Sequence, residues 1–126
     1  MIYAIDFDGT LCFDEYPRIG APRPDVLDFA KRIRRAGDRL ILWTCRIGDD
    51  LAAAVKWCED HGLEFDAVND NLPECVSRYG NNCRKVYADY YIDDRALEID
   101  MVGYYSSLVY GSYEEPTHGI TKEAGL

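Results

Sequence analysis

The stretch that most constrains this chain is its start, Met1-Ile2-Tyr3-Ala4-Ile5-Asp6-Phe7-Asp8-Gly9-Thr10-Leu11. Ile2 to Ile5 is a short apolar run that reads as a buried strand, and Asp6-Phe7-Asp8-Gly9-Thr10 ends it abruptly in a turn. Two carboxylates therefore stand at the carboxyl end of a central strand, where open α/β sheets bind their ligands. Burying acids there costs free energy unless a cation or a hydrogen-bonding network accompanies them. Mg²⁺ suits the position, because it prefers oxygen ligands and is often held by only one or two carboxylates. Gly9 lets the chain turn sharply and brings backbone amides towards an anion. An EF-hand calcium loop does not match: its glycine is the sixth loop residue, whereas counting from Asp6 the glycine here is the fourth. A plain strand followed by an acidic turn stays open until the rest of the chain is read.

Downstream, Cys12 to Arg23 contains Pro17, Gly20 and Pro22 and predicts a loop or small hairpin, of a length for a flap but not for a lid domain. Pro24 and Asp25 open a helix carried by Val26, Leu27, Ala30 and Ile33 and stopped by Gly37. The basic cluster Lys31, Arg32, Arg34 and Arg35 near its end reads as a solvated face that complements the helix dipole. Leu40-Ile41-Leu42-Trp43 gives a second strand ending in Thr44-Cys45-Arg46, and Gly48-Asp49-Asp50 caps a second helix closed by Gly62. Phe65 to Val68 predicts a third strand before Asn69-Asp70-Asn71, Leu72 to Tyr79 a short helix, and Val86 to Ile92 a last strand ending in Asp93-Asp94-Arg95. Strands alternating with helices imply an α/β fold, a parallel Rossmann-like sheet in three layers. The first strand is expected at the centre, the second and third on one side and the last on the other, so that Asp6 and Asp93 face one crevice.

Composition narrows the function classes. The chain has 126 residues, enough for one ordinary domain, and its 48% hydrophobic and 29% charged content is that of a globular protein. No apolar run approaches membrane-spanning length and no secretory leader is visible, so a cytoplasmic protein without membrane association is expected. Cys12, Cys45, Cys58, Cys75 and Cys83 form no C-x-x-C pair, which predicts free thiols rather than a disulfide framework or zinc site. A net charge of −9 disfavours a polynucleotide partner but remains compatible with a small phosphorylated substrate delivered with a metal.

Three strands thus end in functional groups: Asp6 and Asp8, then Thr44, then Asp93 and Asp94. With Lys85 before the last strand, this set resembles the haloacid dehalogenase-like superfamily of aspartate-nucleophile phosphohydrolases, over residues 2–95. Asp6-Phe7-Asp8-Gly9-Thr10-Leu11 matches its first motif, Leu42-Trp43-Thr44 the second, Lys85 the third and Tyr91-Ile92-Asp93-Asp94 the fourth. The segment Arg84 to Arg95 is similar in layout to the end of the 5′(3′)-deoxyribonucleotidases, and the whole resembles small capless hydrolases of bacteria and phages.

The resemblance implies a Mg²⁺-dependent phosphatase without a cap domain. Asp6 would attack phosphorus and form an aspartyl-phosphate, and Asp8 would protonate the leaving oxygen and then take a proton from water. Repulsion between the two acids is expected to keep Asp8 protonated while Asp6, beside Mg²⁺, stays ionised. The metal would be held by Asp6, Asp8 through its backbone carbonyl, and Asp93, with Asp94 behind. Thr44 would bond a phosphoryl oxygen and Lys85 would offset charge. Gly9, Thr10, Thr44, Cys45, Arg46 and Asn69 are the candidate substrate-binding residues.

Other readings stand beside these. Arg46 also fits a surface ion pair with Asp49 or Asp50, and Asn69 a turn. Trp43 and Trp57 read as core residues, and His61 beside Gly62 as a helix terminus. A non-enzymatic phosphorylatable or nucleotide-binding regulatory domain is the alternative function. Receiver domains, however, carry their acid pair on the first strand and their phosphorylated aspartate on the third, an order this chain does not follow. The domain is expected over residues 1–102, with a flap at 12–23. The tail, 103–126, with Tyr104, Tyr105, Tyr110 and Tyr113, is expected to pack on the domain or to form a homo-oligomer interface.

Overall fold

A computed structural model describes residues 1–111. The opening apolar run forms strand β1 (Ile2–Ile5), which has a parallel neighbour on each side. Its partners are β4 (Arg39–Leu42), in the register Ile2 to Arg39 through Ile5 to Leu42, and β6 (Tyr90–Ile92), with Tyr3 opposite Tyr90 and Ile5 opposite Ile92. The two-residue strand β5 (Ala67–Val68) extends the other side of β4, giving the order β5-β4-β1-β6. This is the strand order expected from the sequence, and it puts the carboxyl ends of β1 and β6 side by side.

The alternation of side chains along a strand divides the core between the two faces of the sheet. Ile5, Leu40 and Leu42 pack with Leu27, Ala30 and Ile33 of helix α1 (Pro24–Arg35) and with Ala54 and Cys58 of α2 (Gly48–Asp60). Ala4 and Ile41 face the opposite way, onto Leu72, Val86, Ala88 and Cys75 of α3 (Pro73–Tyr79). Helices on both faces make the three-layer α/β arrangement. The spacing of Leu27, Ala30 and Ile33 places them on one side of α1, and Pro24 opens that helix where a missing N–H costs nothing.

One element resolves an open expectation, and another differs from its expected bounds for a physical reason. The segment 12–23 is a hairpin, β2 (Cys12–Glu15) and β3 (Arg18–Pro22). The last strand begins at Tyr90 rather than Val86, because the Tyr87 amide donates to the Asn71 side chain instead of a neighbouring strand. Val86 and Ala88 are buried all the same, so their apolar character reflects packing under the sheet and not strand pairing. Arg34, taken from the sequence as part of a solvated face, is ion-paired with Asp66.

The chain divides into two units, Met1–Asp94 and a second that begins at Arg95, somewhat before the boundary at 102 expected from the sequence. The second unit contains a 3-10 turn (Ile99–Met101) and helix α4 (Val102–Tyr110), which carries Tyr104, Tyr105 and Tyr110 and buries none of its residues. Tyr113 lies outside the described residues. Among the described residues no helix is long and apolar enough to cross a membrane.

Candidate active site

The turn after β1 is tied down by its own backbone. The amides of Thr10 and Leu11 both donate to the Phe7 carbonyl, at 3.1 and 2.9 Å, and the Gly9 amide donates to the Cys12 carbonyl at 2.8 Å. Gly9 has a φ of +84°, and a Cβ there would run into the Asp94 carboxylate. Glycine is required on both counts, since an L side chain disfavours that backbone and the space belongs to Asp94. The Thr10 hydroxyl donates to Asp94 Oδ1 at 3.3 Å and accepts from the Asp94 amide at 3.1 Å. Thr10 is buried, so its hydroxyl fastens the first motif to the end of β6.

Across the adjacent strand ends, Asp6, Asp93 and Asp94 converge, each offering a carboxylate oxygen within 4.8 Å of the others. The Asp6 carboxyl is pushed up to about 6, chiefly by burial. A hydrogen bond from the Phe7 amide lowers it, and the charges of Asp93, Asp94 and Asp8 raise it further. Three hard oxygen donors facing one another, with one of them destabilised as an anion, are a donor set that fits a small divalent cation.

Asp8 points elsewhere. Its two oxygens accept from Arg46 Nη2 and Nε, each at 2.8 Å, in a forked ion pair. That pairing lifts Arg46 above its ordinary value, against the opposing effect of burial. The two acids of the motif therefore have different surroundings: both oxygens of Asp8 are held by Arg46, and the raised pKa belongs to Asp6. Repulsion between neighbours was legible in the sequence, whereas burial, the largest cause of the rise at Asp6, was not.

Arg46 is likewise no surface partner of Asp49 or Asp50. It is 1% exposed, bonds the carbonyls of Asp50 and Arg18 at 3.3 and 3.1 Å, and lies over the rings of Phe7 and Tyr16. Asn69 holds the turn that delivers it: Oδ1 accepts from the Thr44 amide at 2.8 Å and Nδ2 donates to the Arg46 carbonyl at 3.3 Å. Asn69 has a φ of +52°, which asparagine tolerates better than most residues. The Thr44 hydroxyl accepts from the Arg46 amide at 3.2 Å, an arrangement that leaves its own proton to donate. Cys45, beside it, is exposed and free.

Lys85 contacts a different neighbour. It precedes β6, is exposed, and sets its ammonium 5.2 Å from the centre of the Tyr91 ring. Among the described residues it makes no ion pair with Asp6. The structure thus brings together Asp6, Asp93, Asp94, Gly9 and Thr10, sets Asp8, Arg46, Thr44 and Asn69 in a second connected group, and joins Lys85 to neither by a side-chain hydrogen bond or ion pair. Sequence reasoning missed the Tyr16 hydroxyl, which donates to Asp50 at 3.3 Å, and Arg23, which donates to the Gly9 carbonyl at 3.0 Å. A tyrosine and an arginine in a hairpin carry no local signal of either partner.

A parallel sheet flanked by helices, with acids gathered at the carboxyl ends of its central strands, defines an α/β protein of the Rossmann-like class. The chain is 39% identical to a structurally characterised conserved protein from Bacteroides thetaiotaomicron, over 86% of this chain and 88% of that one, with a TM-score of 0.69. At that identity and coverage the chain belongs to the same family as this conserved protein. No family model matches the sequence, and no curated protein matches it.

Proposed function

We propose that the protein is a Mg²⁺-dependent phosphatase of the haloacid dehalogenase-like type, hydrolysing a small phosphomonoester such as a nucleotide or sugar phosphate through an aspartyl-phosphate on Asp6. The observation that carries this reading is the convergence of Asp6, Asp93 and Asp94 within 4.8 Å at the carboxyl ends of adjacent strands. Asp6, Asp93 and Asp94 would hold the cation, which would neutralise the phosphate and the nucleophile together.

In the first displacement an Asp6 oxygen bonds to phosphorus, the ester P–O bond breaks, and Asp8 gives its proton to the departing oxygen. Water then attacks phosphorus, Asp8 takes its proton, and the bond from Asp6 to phosphorus breaks to release phosphate. Thr44 donates to a phosphoryl oxygen, and positioning and charge stabilisation supply most of the rate. Lys85, whose ammonium lies 5.2 Å from the centre of the Tyr91 ring, is assigned no step in this scheme. Five free cysteines support a reducing, cytoplasmic setting.

The test is phosphate release from p-nitrophenyl phosphate and a panel of nucleoside and sugar monophosphates, with Mg²⁺ or with a chelator. Metal-dependent turnover in the wild type, lost in Asp6→Asn, is the expected result. Absence of turnover in folded, Mg²⁺-loaded wild type would overturn it in favour of a binding or regulatory domain.

A further inference from the structure

We propose that Arg46 is the positioning residue for Asp8: its guanidinium fixes the carboxyl group that exchanges protons during turnover and ties it to the hairpin β2–β3. The proposal rests on the phosphatase reading above.

Arg46 is fully packed. Nε and one Nη2 proton take both oxygens of Asp8, Nη2 also reaches the Arg18 carbonyl on β3, and Nη1 reaches the Asp50 carbonyl in the first turn of α2. The guanidinium carbon lies over two rings, 5.1 Å from the centroid of Phe7 and 5.0 Å from that of Tyr16. With four of its five N–H donors committed and 1% of its surface exposed, it has no open edge to offer a substrate phosphate. Its chemical effect is therefore delivered through Asp8.

The geometry also determines what can replace it. A guanidinium presents two parallel donors in a fixed fork and so sets the plane of a carboxyl group, which a lysine ammonium cannot do. The same Arg46 bonds β3 and stacks under Tyr16 in the turn between β2 and β3, while the Tyr16 hydroxyl donates to Asp50 at 3.3 Å. Asp8, the hairpin and the start of α2 are thereby one connected unit. The carboxyl that moves protons and the flap beside it share a single anchor.

The readout is how the rate depends on the leaving group. Breaking the P–O bond to p-nitrophenol needs little protonation, whereas an alkoxide must receive a proton as it leaves, and kcat/KM covers the steps through that departure. Arg46→Lys is expected to lower kcat/KM on the order of 100-fold for an alkyl monoester and less than about tenfold for p-nitrophenyl phosphate, within the range ascribed to a placed general acid. In an Asp8→Asn background the same substitution should add less than about threefold on the alkyl ester, because residues that act as one unit are not additive. Tyr16→Leu removes only the outer ring of the stack at a position that is 57% exposed. It should retain the wild-type fold and show the same leaving-group bias, more weakly.

Equal losses on both esters, a full further loss in the Asp8→Asn background, or a raised KM with unchanged kcat would each overturn the proposal, the last by making Arg46 a substrate contact. If Arg46→Lys does not fold, Tyr16→Leu decides, and absence of bias there overturns it too. Inactivity of the wild type on both esters with Mg²⁺ would overturn the phosphatase reading, and this proposal with it. Wild-type turnover without the bias would overturn this proposal alone.

Discussion

Two carboxylates at opposite ends of the same sheet have opposite fates. Asp66, before β5 at the amino edge, accepts from the Leu40 amide at 2.8 Å and is ion-paired with Arg34 and, at 3.3 Å, with Arg39. Burial alone would raise its carboxyl, but the amide and the two guanidiniums outweigh it, and the net shift is downward. Asp6, at the carboxyl edge, is also partly buried, yet its charged neighbours are Asp93, Asp94 and Asp8, and its carboxyl rises to about 6. An acid surrounded by the chain's own cations is favoured as an anion, whereas an acid gathered with other acids is disfavoured as one until a cation joins it. The contrast marks Asp66 as a structural carboxylate and Asp6 as a candidate functional one without reference to any motif.

The sharpest way to break the comparison is to neutralise each acid in turn. Asp6→Asn should lower phosphatase turnover on the order of 10⁴-fold or more, as loss of a nucleophile does, while the metal-free protein melts no lower than wild type. A variant that melted well below wild type without metal would place Asp6 among the structural acids. Asp66→Asn should do the reverse, costing about 1–2 kcal/mol at pH 7, since one partner of each of two half-exposed ion pairs and of a backbone hydrogen bond is altered. Because the folded-state pKa of Asp66 is depressed, its contribution is present above the ordinary carboxylate range and lost as pH falls through the folded value. Urea unfolding at pH 7 and pH 3 should therefore show the gap between the two proteins narrowing at the lower pH.

Metal supplies a smaller and pH-dependent contrast. The folded-state pKa of Asp6 is raised from 3.8 to about 6, so the folded chain binds protons more tightly and its stability falls as pH rises through that window. A cation relieves the penalty only where the acid is ionised. Saturating Mg²⁺ should raise the melting temperature by about 3–5 °C at pH 7.5 and by less than half of that at pH 5. An equal rise at both pH values would show that the cation binds elsewhere. The smallest effect is expected at Lys85, exposed and lying against Tyr91: Lys85→Ala should change kcat/KM less than about tenfold, because a solvent-screened cation outside the cluster stabilises little charge within it. A loss as large as that of Asp6→Asn would return Lys85 to the site.

Much of the fold was legible in the sequence because its signals are local. An apolar run of four residues ending in Asp-x-Asp-Gly yields β1 and its turn, and proline, glycine and helical spacing bound α1 and α3 nearly to the residue. The order β5-β4-β1-β6 was expected from a central first strand whose acids share one crevice with Asp93. Val86 to Asp89 was misread as strand because burial and strand pairing leave the same apolar pattern. The distinction depended on the Asn71 side chain.

Residue types and their spacing along the chain determined that Asp6, Asp8, Thr44, Asp93 and Asp94 would gather at one edge of a parallel sheet. Only the tertiary structure decided which of those acids meets a cation. Asp8 and Arg46 are 38 residues apart, and Thr10 and Asp94 are 84 apart. No local preference joins such pairs. They form because packing desolvates an arginine and a threonine beside carboxylates, and the energy of a charge depends on what surrounds it once water has been excluded.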